Sequence, residues 1–105
     1  MLTEIENVRQ IPDEGQRRWF IDSDMDLILW YEEDKNKPTG FQISYDKRSV
    51  QRTVTWKSSH AGHSSLTCDG PYNKKRLIRL MEQKGSNLEP EVLKLILGNL
   101  RDQIT

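Results

Sequence analysis

The sequence predicts an α+β domain: an antiparallel sheet of four to five strands packed against a C-terminal amphipathic helix. Three observations predict it. Seven of the eight aromatic residues stand within the first 56 positions, and aromatics favour pleated, packed surfaces. Phe41, Ile43 and Tyr45 alternate with Gln42 and Ser44, the period of a half-buried strand. Near the C-terminus, Leu88, Val92, Leu93, Ile96, Leu97 and Leu100 recur at helical spacing.

The elements follow in order. The first strand is expected over Arg17 to Ile21 and the second over Asp26 to Glu32. The second is apolar on both faces, through Leu27, Ile28, Leu29, Trp30 and Tyr31, so it belongs in the middle of the sheet. The third covers Gly40 to Tyr45. The fourth covers Ser49 to Trp56, with Val50, Arg52, Val54 and Trp56 against Gln51, Thr53 and Thr55. Asp46 to Arg48 makes a short hairpin link, and Asp34 to Thr39 a longer polar one. Short links favour antiparallel neighbours. Leu66 to Cys68 suits a short fifth strand. Asn73 to Gln83 reads as a helix with Leu77, Leu80, Met81 and Lys84 near one face, or as an edge strand over Leu77 to Met81. A helix from Glu89 to about Asp102 closes the chain, with Pro90 in its first turn and Glu89 and Glu91 at the end where the dipole favours acids.

The chain has 105 residues, which fits one small α+β domain over positions 1–105. Sixteen basic and sixteen acidic residues cancel formally, which excludes a wholesale basic nucleic-acid binder and an acidic tail. The balance is uneven along the chain. Residues 23–46 hold six acids and two bases, and residues 47–84 hold nine bases and two acids. One cysteine, Cys68, allows no intrachain disulfide and fits a reducing, cytoplasmic setting. The opening MLTEIENVRQ has no basic n-region or apolar run, so no secretory signal is expected. The longest apolar run is far too short to span a bilayer, so no membrane partner is expected.

Candidate chemistry is sparse. His60 and His63 sit three apart beside Gly62, with Cys68 and Asp69 close behind. An imidazole titrates near neutrality, and a nearby carboxylate can orient it. His60, His63 and Asp69 are therefore the candidate catalytic residues. No CxxC or HExxH spacing supports a zinc site, and no metal or cofactor is expected. Asp22, Asp24 and Asp26, with Glu33 at the twelfth place, mimic a calcium loop. The sixth place is Leu27 rather than glycine, in the most apolar run of the chain, so a charged turn is the better reading. Lys74, Lys75, Arg76 and Arg79 form a basic run that suits phosphates. Only Tyr72 adjoins it as a stacking partner. Trp19, Trp30 and Trp56 read as core residues. Because one C-terminal helix covers one sheet face, the other face needs Leu2, Ile5, Val8 and Ile11 at helical spacing, the segment after Asn73, or a second subunit.

The blocks Arg17-Arg18-Trp19-Phe20-Ile21-Asp22, Asp26 to Tyr31, Gly40 to Asp46 and Thr53 to Trp56 together resemble a small family of bacterial proteins of unknown function. The resemblance spans roughly residues 17–70, with His60 or His63 and the Asp69-Gly70 pair. It implies a bacterial, stand-alone, soluble domain and carries no activity over to any residue.

The leading functional expectation is a non-enzymatic binding or self-assembling domain, forming a homodimer through a sheet face. A second is a small hydrolase or metal-dependent enzyme using His60 or His63 with a nearby carboxylate. A third is a nucleic-acid accessory domain using the basic run 74–79. No small-molecule ligand is identifiable from the residues.

Overall fold

A computed structural model describes residues 2–6, 10, 16–32, 38–47, 51–58, 64–69 and 74–102. The elements run β1 (Thr3–Glu4), β2 (Gln16–Ile21), β3 (Asp26–Tyr31), β4 (Gly40–Tyr45), β5 (Arg52–Ser58), β6 (Ser64–Asp69), α1 (Lys74–Lys84) and α2 (Pro90–Asp102). The strands form one antiparallel sheet in the order of the chain. Every strand therefore pairs with its sequence neighbour, and no connection crosses another. The α+β architecture is the expected one: five full strands, edged by the two-residue β1, against the C-terminal helix. β3 lies inside the sheet, as its apolarity on both faces requires.

Register divides the residues between two faces. On the inner face Phe20, Leu27, Ile43 and Val54 form one row across four strands, and Leu29, Phe41 and Trp56 form the next. All are buried. The Phe41 and Trp56 rings stack with centroids 5.4 Å apart, a geometry aromatic pairs favour. Leu77 and Met81 of α1 and Val92, Ile96 and Leu100 of α2 close this layer into one core. The α2 stripe is narrower than its sequence pattern, since Leu93 and Leu97 are only half-buried. The alternative of a strand over Leu77–Met81 is not realised. That segment lies within α1, and its i, i+4 apolar pair faces the sheet.

Two expectations change. The spacing of Leu2 and Ile5 suggests a helix, but Thr3–Glu4 pair with β2 as a strand, and two residues are too few to show strand alternation in sequence. Leu2 is fully buried in the inner core, so it does not cover the opposite face. Its N–H donates to Lys84 O at 2.9 Å, and its carbonyl accepts from Asn87 Nδ2 at 2.6 Å. Val8 and Ile11 lie outside the described residues, as does Val50.

Special backbone positions set the corners. Asp46 adopts φ 55° as β4 ends, a left-handed conformation that aspartate tolerates better than most residues. Gly85 follows α1, its N–H donating to Met81 O at 2.9 Å while its own carbonyl accepts from Leu88 N–H at 3.0 Å. A Cβ there would stand 2.7 Å from Met81 O and 3.1 Å from Leu93 Cδ1. The two helices turn this tightly because residue 85 has no side chain.

Gly85→Ala is expected to force the helix junction apart and cost about 1–3 kcal/mol, the usual penalty of overpacking. Thermal unfolding monitored by circular dichroism checks this. An unchanged midpoint would show that the junction relaxes freely.

Candidate functional site

The outer face of the sheet is the surface that needs explaining. Both helices pack on the inner face, and no other described element is left to cover this one. Its middle row runs Trp19, Ile28, Gln42, Thr55 and Thr67 across β2 to β6. Ile5 extends the row, its N–H donating to Trp19 O at 2.8 Å. On one side of it lies the row Arg17, Trp30, Gly40, Lys57. On the other lies Ile21, Asp26, Ser44, Thr53. The face is thus apolar at its β2–β3 end and rich in hydroxyls and amides toward β6.

Trp19 and Trp30 correct the expectation that all three tryptophans fill the core. Only Trp56 does; Trp19 and Trp30 are half-buried on the outer face. Period-two alternation explains why, since Trp19 and Trp30 fall on the opposite parity from Phe20 and Leu29. Trp30 lies over Gly40, where an added Cβ would stand 3.3 Å from its Cε3. A glycine opposite lets the indole lie down on the neighbouring strand. Lys57 Nζ stands 5.4 Å from the centre of the Trp30 ring, within cation–π range. Trp19 Nε1 is buried with no acceptor among the described residues. Ile21, at the end of β2, is 41% exposed.

Charges concentrate elsewhere and pair. Arg18, on the inner side of β2, meets two carboxylates at once. Its Nε and Nη2 donate to Glu4 at 2.9 Å each, and its Nη1 and Nη2 donate to Glu89 at 2.7 and 3.0 Å. Nη1 also donates to Tyr31 Oη at 3.2 Å, and the guanidinium covers the Phe20 ring at 5.0 Å. Hydrogen bonds from Arg18 hold the Glu4 and Glu89 carboxyls below the usual range, and the same bonds raise Arg18. Glu89 also precedes α2, its carbonyl accepting from Val92 and Leu93 N–H.

The acidic and basic stretches of the sequence meet in space. Lys47 pairs with Asp26 at 2.8 Å, Arg76 with Asp46, and Lys84 with Asp22. The bond from Lys84 holds the Asp22 carboxyl well below its ordinary range, aided by the Asp24 N–H. Lys74 Nζ donates to Arg101 O at 2.6 Å, on the last turn of α2. In the basic run only Lys75 and Arg79 are exposed without a described partner. The calcium-like acids are committed as well, since lysines hold Asp22 and Asp26. Among the described residues no group of three or more His, Cys, Asp or Glu is placed to hold a metal ion. No described helix is long and apolar enough to cross a membrane.

The sequence candidates His60 and His63 lie outside the described residues. Asp69 ends β6 opposite Thr53, five residues along the strand from Ser64, which at strand rise is about 17 Å. Missed from sequence were Arg17, Gln42, Thr55, Lys57 and Thr67 as members of one surface. The alternation of β4 and β5 carries that signal, once their register is known. No family model, curated protein or solved structure matches the chain.

The Arg18 clamp has a pH signature. Lowered Glu4 and Glu89 values mean that its stabilisation is fully present above the ordinary glutamate range and is lost as pH falls through the lowered folded values. Both carboxylates are largely solvent-exposed, so screening keeps the pairs small. Arg18→Met is expected to cost about 1–2 kcal/mol at pH 7, including the packing lost over Phe20. That cost should shrink at pH 3, where the carboxylates take up protons, leaving the packing part. Urea unfolding of both proteins at the two pH values checks it, and an equal cost at both would remove the ion pairs from the account.

Proposed function

We propose that this protein is a small non-enzymatic binding domain that works through the outer face of its sheet. The observation that carries the reading is the half-buried row Ile5, Trp19, Ile28, which no described element packs over, next to Trp30 and the exposed Ile21. Contiguous apolar surface on a small domain marks an interaction site more often than scattered single residues do. The Thr, Ser and Gln side chains toward β6 supply the polar margin common to such interfaces. The basic-helix reading has less support, because Lys74, Arg76 and Lys84 are engaged within the molecule. Phosphate binding draws on cations free to displace counterions. The hydrolase reading rests on His60, His63 and Asp69, and no described contact adds to it. The resemblance to bacterial proteins and the single cysteine support a bacterial, cytoplasmic setting.

A photo-crosslinking residue at Gln42, in the middle of the outer face, tests the reading in living cells. Crosslinks to a copy of the chain or to another macromolecule are expected there, and none from the same residue at Lys75 on α1. Equal crosslinking from both positions, or none from Gln42, would overturn the proposal.

A further inference from the structure

The edge of the sheet at β2 carries a recognition surface of its own, apart from the outer face. We infer that the seat of β1 on β2 is a strand-addition site for an extended peptide with an apolar residue and, two places on, an acidic one. In this structure the chain's own segment 2–5 fills it.

The chemistry of the seat is read from its occupant. Thr3 stands opposite Ile21 and Glu4 opposite Phe20 in antiparallel register. The Ile5 N–H continues the ladder by donating to Trp19 O. Alternation sends the side chains of Leu2 and Glu4 to the inner face and those of Thr3 and Ile5 to the outer. Leu2 is fully buried. Its backbone is gripped from outside the sheet, by Lys84 O at the end of α1 and by Asn87 Nδ2 ahead of α2. Glu4 meets the Arg18 guanidinium through both oxygens, at 2.9 Å each. Thr3 between them is exposed, so its place tolerates many side chains. Strand addition works by the same division: main-chain bonds supply affinity, and seats for alternate side chains supply specificity.

The seat is separable from its occupant. β2 pairs with β3 along all six of its residues, so it remains a strand without β1. Arg18 keeps Glu89 and Tyr31 when Glu4 leaves. Gln10 takes up both backbone groups of Arg17 with its side chain, which closes the edge at that residue and limits the seat to the stretch from Trp19 to Ile21. Four residues separate Ile5 from Gln10, so segment 2–5 can leave while Gln10 keeps its place. Within the segment one fully buried side chain, an exposed ion pair and a few hydrogen bonds offset the ordering of four residues. Segments balanced in this way open locally, ahead of the rest of the fold. A peptide of matching pattern then competes for the seat, and the resident segment is the competitor it must displace.

The test empties the seat in the full chain and offers the segment back. Leu2→Asp with Glu4→Lys removes both anchors. A fluorescent peptide with the sequence of residues 1–7 is expected to bind this variant about tenfold or more tightly than the unsubstituted protein, because the open fraction of the seat sets the apparent affinity. Fluorescence anisotropy reads it. Leu2→Asp within the peptide should weaken binding by about tenfold or more, since it would bury an unpaired charge. Glu4→Gln within the peptide should weaken it less, and not at all when the protein also carries Arg18→Met. Register is read by disulfide formation in a Cys68→Ser background under mild oxidation. A peptide carrying Thr3→Cys should join to Ile21→Cys of the emptied protein and not to Lys75→Cys. A folded, emptied variant that ignores the peptide, binds a scrambled one equally well, or couples equally at residues 21 and 75 would overturn the inference. If the emptied variant does not fold, hydrogen exchange of the unsubstituted protein decides. The Leu2 and Ile5 amides are then expected to exchange about a hundredfold or more faster than the amides of β3 and β4. Equal rates would overturn the inference, because the segment would leave only when the whole chain unfolds. Neither outcome bears on the Gln42 crosslinks, so the edge and the outer face stand or fall separately.

Discussion

Two helices of eleven and thirteen residues can cover one face of a six-stranded sheet and no more. Everything else in the molecule follows from that limit. The helices come last in the chain and are joined by the tight turn at Gly85, so they lie side by side on the same layer. Residues of one parity become core, and residues of the other remain in contact with whatever lies outside. A wholly polar outer face would settle the matter in favour of water. Here Trp19, Ile28 and Trp30 occupy that parity, and the unfinished layer becomes the functional question.

The halves of the molecule are held in place by charge as well as by burial. Arg18 ties β1, β2 and the start of α2 together, with Tyr31 of β3 as a fourth partner. Asp22, Asp26 and Asp46 take cations from Lys84, Lys47 and Arg76. Acids and bases that are segregated along the chain are thus mixed across the fold. The formal zero of the composition is also partly local, and two of the four cations in the basic run on α1, Lys74 and Arg76, are paired within the molecule.

Much of this architecture is legible in the residues themselves. Phe41, Ile43 and Tyr45 declare their strand because every second side chain is apolar, and Val92, Ile96 and Leu100 declare their helix because every fourth is. Leu27 to Tyr31 announce an interior strand, and with it a second face in need of an occupant. The content of that face is harder to read. Trp30 resembles any core tryptophan until Gly40 is known to lie opposite it. Arg18 and Glu89 are 71 residues apart, and no local pattern links them. β1 is too short for periodicity to register, so only its pairing with Ile21 and Phe20 reveals it.

Gln10 carries a last consequence. Its side-chain amide donates to Arg17 O at 3.1 Å and accepts from Arg17 N–H at 2.8 Å. Both hydrogen bonds are the kind a neighbouring strand would make. One side chain therefore makes the pair of bonds that a strand residue would make. Exposed backbone of that sort is what templates the growth of stacked fibrils. The Gln10 carboxamide, equipped with both a donor and an acceptor, takes up both backbone groups of Arg17. A carboxylate in its place would keep the acceptor and lose the donor.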